Sequence, residues 1–311
     1  MLNRRILRIK AFKVLYAAAE TPGMTRKEAL ALLEASCEAT RDLYLYMLSV
    51  IPPLTREAAR RIEAARSKFN PTEEERHPNT KFADNAVAPL LESDPDFRKL
   101  LEKKKLNWDN DDVLIRNLFD SISASAWFSA YMGDPERSLA ADAKLFKKVF
   151  ETEFEDNDDL RRILEDMNIH WTDDLGYVLR YDMKAMDDLA RTGRWNYPEL
   201  YADPDDHVFV TRLLQNALSR YADVADQVAG NAAQWERDRL FITDTVLIAM
   251  GLAEAESFPG IPVKVTINEY VEICKFFSTP KSRSFVNGLL DRLIREGIAE
   301  GRIVKEGRGL A

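Results

Sequence analysis

The chain has 311 residues, of which 46% are hydrophobic and 31% are charged, and its formal net charge is −8. This length fits one large domain or two ordinary ones with a sizeable core. The acidic total argues against a protein whose whole surface binds polyanions, although a local basic patch can still bind phosphate. No apolar run approaches the roughly 20 residues of a membrane span. We expect a cytoplasmic protein with no membrane association.

A basic amphipathic helix is predicted over residues 3–19. Its apolar residues recur at helical spacing, as Ile6, Ile9, Phe12 and Tyr16. Five cations precede the first acid of this segment: Arg4, Arg5, Arg8, Lys10 and Lys13. The two lysines interrupt the apolar run of a signal peptide, so export is not expected. The basic face is either a solvated helix face or a binding surface.

An acidic, mostly helical segment is predicted to follow. Thr25 and Glu28 have the spacing of a capping box, and Pro52 and Pro53 are expected to end the helix that starts there. Polar and Pro-rich composition predicts a loop over 69–84 and a linker over 191–207. Further helices are predicted over residues 54–68, 86–104, 111–132, 138–155, 157–167 and 173–192.

Two short stretches in this segment echo each other. NWDNDD (107–112) and HWTDD (170–174) each place a tryptophan just before acids that open an apolar-periodic segment. The acids are either metal ligands or catalytic carboxylates, or they cap helices while the tryptophans pack in the core. We favour the structural interpretation, with Asp109 and Asp173 as caps.

The last third of the chain is again helical in pattern, with helices predicted over residues 207–228, 240–257, 264–278 and 283–297. Pro262 suits the first turn of a helix, where its missing N–H has no cost. Thr266 and Glu269 have capping-box spacing. The segment from Gly301 onward contains three glycines and is expected to fray.

Motifs for catalysis are missing from the sequence. There is no glycine-rich nucleotide loop and no nucleophile elbow. Cys37 and Cys274 are far apart and are expected to be reduced thiols, and the three histidines have no metal-ligand spacing. We therefore expect a protein without enzymatic activity, cofactor or metal.

Three stretches together resemble the NusB family of bacterial transcription antitermination factors. NRRILRIKAFKVLY at 3–16 resembles the family's Arg-rich first helix. IPVKVTINEYVEICKFFS at 261–278 and FVNGLLDRL at 285–293 resemble two family signatures, in the same order and spacing. The stretch IAMGLAEA keeps the family's glutamate as Glu254, but has alanine where the family usually has Arg and Tyr.

The resemblance implies an all-α fold, a NusB-like helical bundle with an additional helical segment inserted after the first helix. Residues 1–20 and 205–311 would form the RNA-binding domain. Residues 21–204 would form an acidic insertion, which matches nothing in the family residue by residue.

The resemblance also implies a function. In the family, NusB pairs with the ribosomal protein NusE, binds boxA RNA in ribosomal RNA transcripts and joins the RNA polymerase elongation complex. Asp244 marks the helix beside which a NusE-type partner would bind. A scaffold on a NusB-like fold that binds no RNA is the alternative, and a NusB-like domain of an RNA methyltransferase is a third hypothesis.

Six residues are expected to contact the RNA: Arg4, Arg5, Arg8, Lys281, Arg283 and Phe285. Arg4 and Arg8 lie four residues apart, so we expect them to share a helix face and contact successive phosphates. Charge reversal of both would then weaken RNA binding and leave thermal stability nearly unchanged. Lys281, Arg283 and Phe285 lie at the start of the last helix, whose first-turn amides favour phosphate. There Phe285 either stacks on a base or belongs to the core.

Overall fold

The computed structural model describes residues 1–232 and 241–310, and it confirms the all-α fold. Apart from one isolated parallel bridge between Leu2 and Tyr201, these residues pair no strands. None of their helices is long and apolar enough to cross a membrane. The helices are α1 (Arg4–Glu20), α2 (Arg26–Leu48), α3 (Ile51–Arg66), α4 (Glu73–Arg76), α5 (Val87–Ser93), α6 (Pro95–Lys104), α7 (Asp112–Ala124), α8 (Ala126–Gly133), α9 (Leu139–Thr152), α10 (Asp158–Met167), α11 (Leu175–Thr192), α12 (Asp206–Ala232), α13 (Ile242–Ser257), α14 (Val263–Phe277) and α15 (Ser282–Ala299).

The chain packs as two compact units. Unit 1 contains Met1–Cys37 and Glu199–Ala311, and unit 2 contains Glu38–Pro198. The boundary at residue 37 falls inside α2, and residues 21–37 belong to unit 1 together with α1. The division into an RNA-binding domain (1–20 and 205–311) and an acidic insertion (21–204) remains a prediction.

Unit 1 is built around α13. This helix packs against α1, α12, α14 and α15, and every residue from Asp244 to Ala255 is buried. Gly251 allows the close approach of α15, because a Cβ atom at this position would lie 2.6 Å from Cδ2 of Leu290. The helix predicted over 240–257 is therefore the centre of the core of unit 1. Residue 240 lies outside the described residues.

The chain after α15 is packed rather than frayed, contrary to the prediction. Ile303 is 2% exposed. Lys305 donates hydrogen bonds to the carbonyl oxygens of Ala255 at 2.8 Å and Phe258 at 3.2 Å. Ala255 lies in the last turn of α13 and Phe258 directly follows the helix, where backbone acceptors lack helical partners, so the lysine acts as a C-terminal cap.

Local capping residues explain where the predicted helix boundaries were wrong. Pro52 and Pro53 lie in the first turn of α3 rather than ending α2. Two predicted helices are each split in the structure. Asp94 caps the nitrogen of Phe97 and Pro95 starts α6, while Ser125 caps the first turn of α8.

The two tryptophans of the sequence echo pack on one aromatic ring in unit 2. Tyr46 stacks on Trp108 with ring centroids 4.1 Å apart, and on Trp171 at 5.5 Å. The indole N–H of Trp108 donates to Ser49 Oγ at 2.9 Å, and that of Trp171 donates to the carbonyl of Ala39 at 2.8 Å. The tryptophans are therefore core residues.

The acids of the echo are not the predicted caps. The residue that precedes α7 is Asp111 instead of Asp109, and the residue that precedes α11 is Asp174 instead of Asp173. Neither Asp111 nor Asp174 makes a side-chain capping hydrogen bond. Asp174 instead accepts a hydrogen bond from Thr40 Oγ1 at 2.6 Å.

A buried aspartate on α11 lacks partners among the described residues. Asp182 is 0% exposed, and neither carboxylate oxygen accepts a hydrogen bond there. Burial raises the pKa of Asp182 well above its ordinary value. The folded chain thus holds this carboxyl neutral over a pH range in which the unfolded chain ionises it.

We expect Asp182→Asn to stabilise unit 2 increasingly as the pH rises from the ordinary pKa of an aspartate toward the raised pKa of the folded state. The raised pKa means that the stability contributed by Asp182 is complete below its unfolded pKa and is lost as the pH rises toward its folded pKa. Between these two pKa values, the free energy of unfolding of Asp182→Asn should rise relative to that of the unaltered chain by about 1.4 kcal/mol per pH unit. Urea unfolding at pH 5 and pH 8 measures it. Asp187→Asn, on the same helix but exposed and paired with Lys147, is the control. A gain independent of pH would contradict a neutral Asp182.

Candidate nucleic-acid interface

A buried ion pair between α1 and α13 organises the surface that carries the predicted RNA-binding residues. Arg8 donates to the carboxylate of Glu254 from Nε at 2.6 Å and from Nη2 at 2.8 Å. Glu254 is 0% exposed and also accepts from the hydroxyls of Thr266 and Tyr270, both at 3.0 Å. Each carboxylate oxygen thus has two donors, which offsets the cost of burying its charge.

Arg8 does not share the surface with Arg4 as the spacing predicted. It is 4% exposed, and its guanidinium lies 5.2 Å from the centroid of the Phe209 ring. Burial lowers the pKa of Arg8, but the hydrogen bonds and charge of Glu254 outweigh burial and raise it above the ordinary value. Arg8 therefore holds α1 in place, and its guanidinium is not presented to a phosphate.

Arg4 and Arg5 remain at the surface, and each is paired with a carboxylate. Arg4 Nε lies 2.9 Å from Asp206 Oδ1, and its guanidinium lies 4.9 Å from the Phe209 ring centroid. Arg5 donates to both oxygens of Glu269, at 3.0 and 2.7 Å. Because the two arginine side chains are 45% and 54% exposed, they are oriented by their partners yet accessible to a ligand.

The predicted capping box at the start of α14 is wrong, and its two residues make tertiary contacts instead. Pro262 is the residue before α14, so Thr266 and Glu269 lie inside the helix. Thr266 donates to Glu254, and the hydrogen bond from Arg5 lowers the pKa of Glu269.

The start of α15 presents the second predicted group of residues. Lys281 and Arg283 are exposed, and Phe285 is half-buried. Lys281 directly precedes the first helical residue of α15 and makes no side-chain capping hydrogen bond. The positive end of the helix and these side chains together favour an anion.

Glu272 of α14 connects the two groups. Its carboxylate accepts a short hydrogen bond from Lys275, which is the main cause of its lowered pKa, and the charges of Arg5 and Arg283 lower that pKa further. Arg5 on α1 and Arg283 on α15 therefore lie within electrostatic reach of one carboxylate. We call the exposed residues Arg4, Arg5, Lys275, Lys281 and Arg283 the basic surface.

Asp244 is buried, so its side chain is not itself exposed to a partner, while the place of a partner beside its helix remains a prediction. It is 2% exposed and accepts from Ser278 Oγ at 2.5 Å, while Thr243 Oγ1 lies 3.2 Å from the same hydroxyl. Burial raises the pKa of Asp244, although hydrogen bonds from Ser278 and Ser282 oppose the increase. Asp244 thus joins the first turn of α13 to the end of α14 and the start of α15.

Apolar side chains are exposed near these helix ends. Phe241 and Ile242, at the start of α13, are 45% and 40% exposed, and Phe276, near the end of α14, is 78% exposed. The Thr243–Ser278 contact brings the two helix ends together. Exposed apolar side chains that lie close together mark protein-binding surfaces, whereas single scattered ones do not. We call Phe241, Ile242 and Phe276 the apolar patch.

A cleft lies in unit 2. It encloses about 690 Å³ between α3, α5, α6 and α7. Four arginines and four carboxylates line it over an apolar floor. Because these charges balance, the cleft favours no ionic class of ligand.

Comparison with known proteins matches the C-terminal part of the chain to one family. The NusB family profile matches residues 179–295. The chain is 36% identical over 112 residues to the transcription antitermination protein NusB of Chloroherpeton thalassium, covering 36% of this chain and 53% of that protein.

Two further NusB proteins match similarly. That of Salinibacter ruber is 34% identical over 108 residues, which cover 35% of this chain and 68% of the relative. That of Myxococcus xanthus is 36% identical over 91 residues, which cover 29% and 65%. The chain thus spans about half to two thirds of the length of these relatives. No solved structure gives a significant match.

Replacing Arg8 with Met is expected to lower the free energy of unfolding by about 3–5 kcal/mol, because the carboxylate of Glu254 would stay buried without its cation. Arg5→Met removes the exposed pair with Glu269 and should cost no more than about 1 kcal/mol. Chemical denaturation of the two variants measures the difference. Equal effects would show that Arg8 is not a structural anchor. The expectation that charge reversal at Arg8 spares stability is therefore replaced.

Proposed function

Since this chain belongs to the NusB family of antitermination factors, we propose that it binds boxA-type RNA of ribosomal RNA transcripts. It does so in the cytoplasm with a NusE-type ribosomal protein and joins the RNA polymerase elongation complex. Residues 1–20 and 205–311 form the RNA-binding domain. The action is assembly, without catalysis or cofactor. The observation that carries the proposal is the basic surface, whose exposed cations lie on α1, α14 and α15.

The RNA backbone follows the basic surface. Arg4 and Arg5 contact phosphates by exchanging a carboxylate partner for a phosphate, which binds the same planar guanidinium group. Lys281 and Arg283 bind a second part of the backbone near the first turn of α15. Phe285 is half-buried, so only part of its ring is available to stack on an unpaired base.

The ribosomal protein binds beside the start of α13, at the apolar patch. Asp244 supports this surface from inside by holding three helix ends together. The partner's own apolar side chains would cover Phe276, whose exposed ring suits the centre of a protein interface. The elongation complex would then be contacted through the RNA and the partner together.

Lys281→Glu is expected to weaken binding of a single-stranded boxA-type RNA at least tenfold. Loss of one phosphate contact should also make the dependence of log affinity on log salt shallower by roughly 0.7. Arg295→Glu, an exposed change further along α15, is the control. Fluorescence anisotropy with and without the ribosomal protein measures both effects. Absence of RNA binding by the unaltered chain in both conditions would contradict the proposal and favour a scaffold that binds no RNA.

Phe276→Ser is expected to weaken binding of the ribosomal protein by about tenfold or more, as removal of a central aromatic side chain does in other interfaces. RNA binding measured without the partner should be unchanged. Val265→Ser, at the other end of α14 and 43% exposed, is the matched control. Calorimetric titration of each variant with the ribosomal protein gives the affinities. Equal affinities for both variants would place the interface elsewhere.

A further inference from the structure

Two carboxylates lie one turn apart on α14, next to the cations of the basic surface. Glu269 binds Arg5 through both oxygens and lies 3.8 Å from Arg8. Glu272 accepts from Lys275, and their side chains are 40% and 35% exposed. Glu269 helps to anchor α1, since it contacts Arg5 and Arg8 of that helix. Glu272 contacts no residue of the core network and is accessible from solvent.

The position of Glu272 sets what the basic surface offers to an anion. Its carboxylate accepts a hydrogen bond from the ammonium of Lys275 and lies one helical turn after Glu269, which binds Arg5. The charges of Arg5 and Arg283 also act on this carboxylate. Without a ligand it relieves the repulsion among these three cations. A phosphate that approaches them must overcome repulsion from the carboxylate or displace it.

We propose that Glu272 is a specificity-determining residue, whose carboxylate competes with RNA phosphates for Arg5, Lys275 and Arg283 and so limits binding through the backbone alone. This inference rests on the proposed RNA binding. Phosphate contacts carry no sequence information, whereas base contacts do. An RNA held by its bases has a fixed backbone position. An RNA held only by phosphates can shift until a phosphate lies against the cations that Glu272 restrains.

The test compares Glu272→Gln with the unaltered chain on two single-stranded RNAs, one with a boxA-type sequence and one with the same bases scrambled. We expect the scrambled RNA to bind roughly two- to fivefold more tightly to Glu272→Gln, the range of one surface ion pair. Its salt dependence should steepen by about 0.7. The gain for the boxA-type RNA should be smaller. Anisotropy titrations at several salt concentrations measure affinity and slope.

Glu300→Gln is the matched control. Glu300 is exposed and paired with Arg302 at 2.6 Å, so the change removes the same charge from a similar ion pair. It follows the last residue of α15, a helix of 18 residues or about 27 Å. Because this distance exceeds the roughly 10 Å screening length at 0.1 M salt, the charge at 300 has little effect at the basic surface. Both variants should melt at the temperature of the unaltered chain.

Three results would overturn the inference while RNA binding by the unaltered chain stands: an affinity of Glu272→Gln equal to that of Glu300→Gln, a loss of affinity, or an equal gain for both RNAs. A loss of affinity would mean that Glu272 itself contacts the RNA. If the unaltered chain binds neither RNA, with or without the ribosomal protein, the proposed function fails and the inference fails with it.

Discussion

The ion pair between Arg8 and Glu254 is the constraint on which the arrangement of unit 1 depends. A charge buried this deeply must be matched in position by its partner, because a poor fit leaves the cost of its desolvation without compensation. The four donors around Glu254 come from two helices, α1 and α14, so these two helices and α13 have one mutual register that satisfies the carboxylate. Apolar packing alone would tolerate small shifts between these helices.

The same register determines the surface above the pair. Once Arg8 is turned inward, Arg4 and Arg5 are directed to the outside, where Asp206 and Glu269 hold them extended. Holding long side chains in place lowers the entropy that a ligand must remove on binding. The carboxylates also weaken the positive potential that attracts the ligand. The surface therefore combines preorganised cations with a reduced field.

Much of the fold follows from the sequence, since the apolar periodicity of α1, α9, α10, α11 and α15 predicts those helices closely. The breaks at Asp94–Pro95 and Ser125 were missed because the apolar pattern continues across them while a single capping side chain ends one helix and begins another. The end of the chain was also misjudged, since its packing depends on the carbonyls of residues Ala255 and Phe258 rather than on its own composition.

The site was less predictable than the helices. Arg5 and Arg8 look alike in the sequence, and what distinguishes them is a carboxylate 264 or 246 residues away. The spacing of Thr266 and Glu269 indicated a local cap, but both side chains are used by α1 and α13 instead. Asp244 was correctly located at the start of α13, but its side chain is taken up by Ser278 of the same unit. Only the pairing of distant charges separates an anchor from a ligand contact.

The distance between Arg8 and Glu254 along the chain also has a consequence for biosynthesis. Unit 2 is one continuous stretch that the ribosome completes before α13 is made. The first helix, by contrast, must wait for its counter-ion until most of the chain has been translated. Since domains generally fold as they are completed, the basic α1 would spend this interval next to a ribosome rich in RNA and without its native partner. A nascent chain of this kind completes the basic surface only in the last steps of synthesis.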